Sequence, residues 1–217
     1  MKFKVCGLTD LEQVHQLEMS GVDFAGFIFY PKSTRYVYAK MDCDELKNIA
    51  GSIKKVGVFV NAPQEEILKT VYDCGIHIIQ LHGDETPKFC ENISNYVTVI
   101  KAFRLGDEYN LENRIKPFEE VCDMYLFDTA GAGYGGNGTK FNWEVLKDLN
   151  INKPFFLSGG IQPGDEEAIE KFRSYAVAKD LFAIDVNSGF EVSPGMKDVN
   201  KVRNFIKNLR NEKDKST

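Results

Sequence analysis

The sequence predicts a single-domain (β/α)8 barrel whose strands are parallel. Two observations favour this fold class: eight short apolar runs recur along the chain, and segments with helical spacing separate them. Strands that are apolar on both faces and joined through helices are typical of parallel sheets. Eight such units within 217 residues suit a closed barrel better than an open, doubly wound sheet.

The apolar runs are the strand candidates, because each is rich in residues that favour β structure. Helical segments extend, for example, from Leu11 to Gly21 and from Pro63 to Gly75. An open Rossmann or flavodoxin-like layer is the structural alternative, but no GxGxxG motif follows the first run. In chain order the strand candidates are Phe3 to Cys6, Phe24 to Phe29, Val56 to Val60, Ile76 to Leu81, Val97 to Ala102, Met124 to Phe127, Phe155 to Leu157 and Phe182 to Val186.

One domain accounts for the chain: we expect the barrel to cover residues 1–210 and a frayed polar tail to cover 211–217. With 43% hydrophobic residues, the chain can bury a substantial core. The formal net charge of -5 argues against a nucleic-acid partner. No apolar run is long enough for a signal peptide or a membrane span, so we expect a cytoplasmic protein without a membrane partner.

The cysteine pattern predicts neither a disulfide framework nor a zinc site. The number of cysteines is odd and none has CxxC spacing, which fits a reducing compartment. We therefore expect no metal and no structural disulfides. The cysteines are Cys6, Cys43, Cys74, Cys90 and Cys122.

Polar or glycine-rich residues follow nearly every apolar run, at the positions that form the active site of a closed barrel. Because parallel strands end on the same side, we expect these groups to converge on one mouth. His15 and His77 lie elsewhere and are expected to be structural. The residues at the ends of the runs or shortly after them include Cys6, Arg35, Gln80, His82, Lys101, Asp128, Ser158 and Asn187.

Glycine-containing segments follow the seventh and eighth runs, where (β/α)8 barrels usually bind phosphate. Glycines let backbone N–H groups approach an anion closely, and a following helix N-terminus adds a favourable dipole. The alternative is that these glycines only form tight turns. The phosphate-binding candidates are Gly159, Gly160, Asn187, Ser188 and Gly189.

A third glycine-rich stretch, from Gly131 to Gly138, follows the sixth run. Its glycine content is too high for a regular helix or strand. It is predicted to be a mobile active-site loop, and the alternative is a disordered connector.

A series of motifs extends through almost the whole chain. They are Lys4 to Thr9, Gly26 to Phe29, Pro31 to Val37, Lys55 to Asn61, Gln80 to Glu85, Phe127 to Thr129, Gly135 to Phe141, Ser158 to Ile161, Asp185 to Glu191 and Ser193 to Asp198. One such match would be weak, but in this order the set resembles the phosphoribosylanthranilate isomerase family. The departures affect the fine geometry of the phosphate site: Ser158 stands where alanine is common, Asn187 where serine is, Phe190 where valine is, and Asn142 where aspartate is frequent.

The resemblance implies an isomerase that interconverts an aldose and a ketose in L-tryptophan biosynthesis. Members of the family convert N-(5-phosphoribosyl)anthranilate to a 1-(2-carboxyphenylamino)-1-deoxyribulose 5-phosphate by an Amadori rearrangement. The substrate's own nitrogen is the electron sink, so the resemblance implies no cofactor and no metal. The expected partner is this small phosphorylated substrate, and the expected assembly is a monomer or a homodimer.

The resemblance also implies roles for individual residues. Cys6 would be the general base, Asp128 the general acid and Arg35 the partner of the anthranilate carboxylate, while Gln80 and His82 would line the pocket. The site must then favour the thiolate of Cys6, whose ordinary pKa is ~8.5, and keep Asp128 protonated. Without the resemblance, Cys6 also fits a small buried apolar residue, Asp128 a helix N-cap and Arg35 a solvated cation.

Three other functions stay open on the residues alone. Lys101, at the end of the fifth run, fits the Schiff-base lysine of an aldolase, although Cys6 and Asp128 would then be unexplained. Another phosphate-binding barrel isomerase or lyase would call for an acidic residue at the position of Cys6. A non-catalytic barrel that binds a phosphorylated regulator would need neither of the two proton-transfer candidates.

Overall fold

Eight parallel strands pair in sequence order and close into a barrel, because the last strand pairs with the first. The computed structural model describes residues 1–106, 110–129 and 142–211. The strands are β1 (Lys2–Val5), β2 (Phe24–Ile28), β3 (Lys54–Phe59), β4 (Ile78–Leu81), β5 (Thr98–Leu105), β6 (Met124–Thr129), β7 (Phe155–Leu157) and β8 (Leu181–Val186). The predicted fold class and the eight predicted strands are confirmed.

Strand ends differ from the predicted ends by a few residues, and the pairing register shows why. The fifth strand was predicted to end at Ala102, but β5 continues to Leu105. Residues 103–105 pair with residues 127–129 of β6, so the neighbouring strand supports three more paired residues than the apolar run indicates.

Helices connect the strands and cover the outside of the barrel. They are α1 (Leu11–Met19), α2 (Cys43–Lys47), α3 (Gln64–Cys74), α4 (Pro87–Ser94), α5 (Leu111–Ile115), α6 (Glu166–Arg173) and α7 (Val199–Asn211). The side chain of Asp10 accepts a hydrogen bond from the N–H of Gln13 at 2.8 Å, which caps α1. Gly75 closes α3 with a φ of 62°, the left-handed conformation that suits glycine. No helix in the described ranges is long and apolar enough to cross a membrane.

The last helix, α7, ends at Asn211, one residue beyond the predicted end of the barrel. The rest of the predicted tail, residues 212–217, lies outside the described residues. Short 3-10 turns complete several connections: Val37–Ala39, Lys116–Phe118, Trp143–Leu146, Ala176–Asp180 and Ser188–Phe190.

Side chains alternate between the inside of the barrel and the helices, as the two-residue period of a strand requires. Most buried apolar side chains form one core between strands and helices. A smaller core fills the barrel itself, built from Phe24, Val56, Ile100, Ala102, Leu126, Phe156 and Ala183. Toward the carboxyl ends the buried residues on this inner face become polar: Gln80, Asp128 and Asp185. The active-site end of the barrel is therefore set by the same alternation that builds its core.

A two-stranded antiparallel hairpin, β9 (Glu191–Ser193) and β10 (Met196–Lys197), follows β8 and was not predicted. It packs on the connection between β1 and α1. The side chain of Gln13 makes two hydrogen bonds to the backbone of Lys197, both at 2.9 Å, and Thr9 Oγ1 donates to the carbonyl of Gly195. The hairpin is thus attached to the first loop of the barrel.

The expectation of no disulfide was wrong, because the structure bonds Cys43 to Cys74. The two cysteines lie 31 residues apart, at the start of α2 and the end of α3, and these helices pack against each other. An odd cysteine count and the lack of CxxC spacing do not report such a tertiary contact. Cys6, Cys90 and Cys122 are buried free thiols.

Candidate active site

A cavity of about 260 Å³ opens at the carboxyl ends of the strands, where closed barrels carry their active sites. The predicted site residues that line it are Cys6, Arg35, Gln80, His82, Asp128, Gly159, Gly160, Asn187 and Ser188. Gly189 is not among the lining residues. A Cβ at Gly189 would lie 2.5 Å from the carbonyl oxygen of Ile161, so this glycine lets the loop after β8 contact the loop after β7.

Cys6 directly follows β1, and its N–H donates to the carbonyl of Val186 at 2.9 Å. Its thiol needs the glycine at position 26, because a Cβ on Gly26 would lie 2.9 Å from Cys6 Sγ. Burial raises the pKa of the Cys6 thiol, against the opposing effect of the Lys4 ammonium. The structure therefore does not meet the condition that the site favours the thiolate.

A buried ion pair lies beside Cys6, and sequence reasoning had not named either partner as a site residue. Lys4 Nζ lies 2.9 Å from Asp185 Oδ2, and both side chains are almost fully buried. Burial alone would lower the pKa of Lys4, but Asp185 and Cys6 together raise it. Asp185 lines the cavity, and its other carboxylate oxygen, Oδ1, has no hydrogen-bond partner among the described residues. A charged residue at an inward position of an otherwise apolar run was the signal that could have identified each of them.

Asp128 faces His82 at the opposite side of the mouth. His82 Nε2 lies 3.3 Å from Asp128 Oδ2, while Asp128 Oδ1 accepts a hydrogen bond from the N–H of Thr129 at 2.8 Å. Asp128 lies within β6, so it is not the N-cap of a helix. Gln80 Nε2 contacts His82 Nδ1 at 2.6 Å, and the two residues share the inward face as their spacing predicted.

Arg35 is half-buried and paired, which rules out the solvated-cation alternative. Its Nε and Nη2 donate to the two carboxylate oxygens of Glu191 at 2.8 and 2.6 Å. Lys197 Nζ lies 2.6 Å from the same carboxylate. Burial alone would raise the pKa of Glu191, but hydrogen bonds from Arg35 and Lys197 lower it to about 2. Sequence reasoning missed both Glu191 and Lys197, because the hairpin that carries them was not predicted.

The loops after β7 and β8 meet at the phosphate-binding candidates. Gly159 and Gly160 have φ angles of 92° and 66°, which glycine adopts without strain. Ser188 opens a 3-10 turn, and Asn187 Oδ1 accepts a hydrogen bond from Lys197 Nζ at 2.7 Å. Glycine at 159 and 160 is thus required by backbone conformation, whatever the loop binds.

Comparison with known proteins shows which family the chain resembles. The family model described as "N-(5'phosphoribosyl)anthranilate (PRA) isomerase" matches residues 3–208. The chain belongs to this isomerase family. The N-(5'-phosphoribosyl)anthranilate isomerase of Phocaeicola vulgatus is 40% identical over 211 residues, which cover 97% of this chain and 98% of the relative. That of Thermotoga neapolitana is 40% identical over 212 residues, with the same coverage.

Solved phosphoribosylanthranilate isomerases have the same fold. The crystal structure from Thermotoga maritima aligns with a TM-score of 0.83 and 34% identity, covering 97% of this chain and 99% of that one. Another, in complex with reduced 1-(o-carboxyphenylamino)-1-deoxyribulose 5-phosphate, aligns with a TM-score of 0.78 and 32% identity, with the same coverage. The chain accordingly carries out the Amadori rearrangement of N-(5-phosphoribosyl)anthranilate in L-tryptophan biosynthesis.

The aldolase alternative fails on the position of Lys101. Its side chain is buried on the outer face of β5, away from the cavity, and its Nζ donates to the carbonyls of Leu81 and Gly83 at 3.2 and 2.8 Å. It also pairs with Glu85 Oε2 at 2.9 Å. An amine held by three acceptors outside the pocket is not available to a substrate carbonyl in this structure.

The remaining candidates from the sequence lie away from the cavity or outside the described chain. His77 Nδ1 accepts a hydrogen bond from the N–H of Lys55 at 3.0 Å, and burial lowers its pKa. Neither His77 nor His15 lines the cavity. The glycine-rich stretch Gly131 to Gly138 lies outside the described residues. Among the residues that are described, no group of three or more His, Cys, Asp or Glu side chains is arranged to hold a metal ion.

Proposed function

We propose that Asp128 and Cys6 perform the two proton transfers of the isomerisation. Asp128, as general acid, protonates the furanose ring oxygen, so the ring opens and the substrate nitrogen becomes an iminium. Cys6, as general base, removes the proton from C2′, and the electron pair moves toward the iminium to give an enolamine. Tautomerisation then adds a proton at C1′ and removes one from the C2′ hydroxyl, which gives the ketone.

The observation that carries this proposal is the placement of the two groups in one cavity. Cys6 follows β1 and Asp128 belongs to β6, so they enter the mouth from strands separated by β7 and β8. A sugar bound between them would meet the acid and the base on different sides. Lys4 supports the base, because its ammonium opposes the rise that burial causes in the pKa of Cys6.

The substrate's two anionic groups have separate partners in the proposal. Arg35 offers a planar, two-pronged donor for the anthranilate carboxylate. The loops after β7 and β8 bind the phosphate through backbone N–H groups, and they comprise Gly159, Gly160, Asn187, Ser188 and Gly189. Gln80 and His82 line the pocket between them and contact the sugar.

Partners and compartment are also part of the proposal. The partner is the phosphorylated small molecule, and the net charge of -5 argues against nucleic acid. The assembly is a monomer or a homodimer; a Thermotoga maritima relative is described as a dimeric enzyme from which monomers were generated. A cytoplasmic location suits a reaction whose base is a reduced thiol.

The proton-transfer roles are tested by Cys6→Ser and Asp128→Asn, which preserve shape but remove the ionising or transferable group. Each variant should lower the turnover number by at least ~10²-fold, the usual scale for a positioned acid or base. Binding of the reduced product analogue should stay within a few-fold of the wild type, because neither residue is assigned a large share of ground-state affinity.

The matched controls are Cys90→Ser and Cys122→Ser, which remove buried free thiols that do not line the cavity. They should affect stability and leave turnover near the wild-type value. If Cys6→Ser keeps near-normal turnover while a control variant abolishes it with the fold intact, the base has been misassigned.

A further inference from the structure

We propose that Glu191 is a positioning residue for substrate binding, which fixes the guanidinium of Arg35 so that its second edge faces the substrate carboxylate. Lys197 holds Glu191 in place. This inference rests on the role proposed for Arg35 and adds the element that makes that role possible.

The contact between Glu191 and Arg35 is bidentate and uses one defined edge of the guanidinium. Nε and Nη2 each donate to a different carboxylate oxygen, at 2.8 and 2.6 Å. An arginine has five N–H donors in a rigid plane, so this contact leaves the Nη1 edge for another planar anion. Gly7 makes room for this arrangement, since a Cβ there would lie 2.6 Å from Arg35 Cδ and 2.9 Å from Asn187 Oδ1.

Glu191 is itself held by two further donors besides Arg35. Its Oε1 accepts hydrogen bonds from Lys197 Nζ at 2.6 Å and from the N–H of Gly195 at 3.0 Å. Glu191 and Lys197 are also ladder partners in the β9–β10 hairpin, so backbone pairing sets their separation. A carboxylate fixed by a side chain and by the backbone can in turn restrict a long, flexible arginine.

The same lysine connects the two ends of the substrate site. Lys197 Nζ donates to Asn187 Oδ1 at 2.7 Å, and Asn187 belongs to the loop proposed to bind phosphate. The side chain of Lys197 is fully buried, so its ammonium acts inside the protein rather than as a surface charge. One carboxylate and one ammonium therefore link the carboxylate-binding Arg35 to the phosphate-binding loop.

The charges explain why a neutral replacement should disturb Arg35. Glu191 lies between two cations, Arg35 and Lys197, and accepts hydrogen bonds from both. A glutamine in its place has one acceptor oxygen, and its NH2 group must face a donor on one side. Because Oε1 accepts from Lys197, Gly195 and Arg35 Nε, the amide oxygen takes that position and the NH2 group faces Arg35 Nη2. Arg35 would then lose one bond of its bidentate contact, and the two positive charges would no longer be separated by a negative one.

The test compares Glu191→Gln with Arg35→Met on two ligands. The first is the reduced product analogue, and the second is the same compound with aniline in place of anthranilate, which lacks the ring carboxylate. Glu191→Gln should raise the dissociation constant of the first by at least about tenfold and leave the second nearly unchanged, because only the first uses Arg35. The Michaelis constant of the substrate should rise in parallel, with a smaller effect on turnover.

A double variant tests whether the two residues act together. Because Glu191 acts through Arg35, combining Glu191→Gln with Arg35→Met should cost no more affinity than Arg35→Met alone. Glu144→Gln is the matched control: Glu144 also pairs with a lysine, Lys171, but lies away from the cavity. It should leave both dissociation constants unchanged.

Each contrary result has a distinct meaning. If Glu191→Gln weakens both ligands equally, the residue only supports the fold and the inference is wrong. If Arg35→Met weakens the carboxylated ligand but Glu191→Gln does not, the inference is wrong while the role of Arg35 stands. If neither variant discriminates between the ligands, the proposed role of Arg35 fails as well. Should Glu191→Gln not fold, Glu191→Asp keeps the charge but is too short to reach both cations, and the same selective loss is expected.

Discussion

Cys6 has the most demanding environment of any single residue in the site. It must ionise to act as the proposed base, yet burial raises its pKa, and Lys4 and Lys197 only partly oppose this effect. The buried pair of Lys4 and Asp185 has opposed effects on the thiol, because the Lys4 ammonium lowers its pKa and the Asp185 carboxylate raises it. The resulting base gains strength as its pKa rises but is less often ionised at neutral pH.

This balance predicts the pH dependence of the free enzyme. Since the thiolate, and not the thiol, is the nucleophile, the reactivity of Cys6 should increase as the pH rises through the elevated pKa of its side chain. Lys4→Met removes the opposing charge and should move this increase to still higher pH. The pH dependence of Cys6 alkylation by iodoacetamide, followed by mass spectrometry, measures the same ionisation directly.

The outcome that would contradict this account is a Cys6 alkylation profile with a midpoint below the ordinary thiol pKa of ~8.5. A Lys4→Met profile that does not move would show that the ammonium has no influence on the base. Both profiles need protein shown to be folded, because Lys4→Met leaves Asp185 buried without its partner.

Single residues could be predicted from the sequence where the strand period decides their direction. Gln80 and His82 are two positions apart and share the inward face, as expected. The partners of Lys4 and Arg35 could not be predicted, because they are 181 and 156 residues away in sequence. Those contacts exist only because β8 and the hairpin after it close against β1.

Among the elements, the β9–β10 hairpin shows both what a sequence pattern contains and what it hides. Pro194 and Gly195 between short extended segments are a turn signal. The strands have only three and two residues, which is too short for a recognisable apolar alternation. The hairpin was therefore missed, and with it the carboxylate that holds Arg35.

The loops after β7 and β8 give a prediction for phosphate binding. Ser188→Asp should raise the Michaelis constant far more than it disturbs folding, because its carboxylate opposes the phosphate dianion. Inorganic phosphate should inhibit the wild type competitively, and it should inhibit the variant less strongly. Ser188→Asn is the control, because asparagine has the shape of aspartate without its charge.

Gly159→Asp is the less informative variant for the same test. Gly159 has a φ of 92°, so an aspartate there strains the backbone as well as adding a charge. If Ser188→Asp leaves substrate affinity unchanged with an intact far-UV circular dichroism spectrum, the phosphate assignment has to be abandoned.

For the whole molecule, we expect the disulfide between Cys43 and Cys74 to affect stability and not catalysis. It closes a loop of 31 residues, for which loop entropy predicts a stabilisation of roughly 3–4 kcal/mol. Reduction, or the Cys43→Ser variant, should lower the unfolding temperature and leave kcat unchanged, because neither cysteine lines the cavity. Equal unfolding temperatures of oxidised and reduced protein would show that the bond does not form in solution. A fall in kcat on reduction would show that it reaches the active site.

The central claim concerns the whole enzyme: this chain isomerises phosphoribosylanthranilate with its own acid and base. The most direct measurement is the loss of substrate fluorescence with purified protein in the presence of excess EDTA. We predict a full rate, because the substrate iminium supplies the electron sink and no step calls for a metal. No loss of fluorescence, or a loss that EDTA abolishes and a divalent ion restores, would contradict the account.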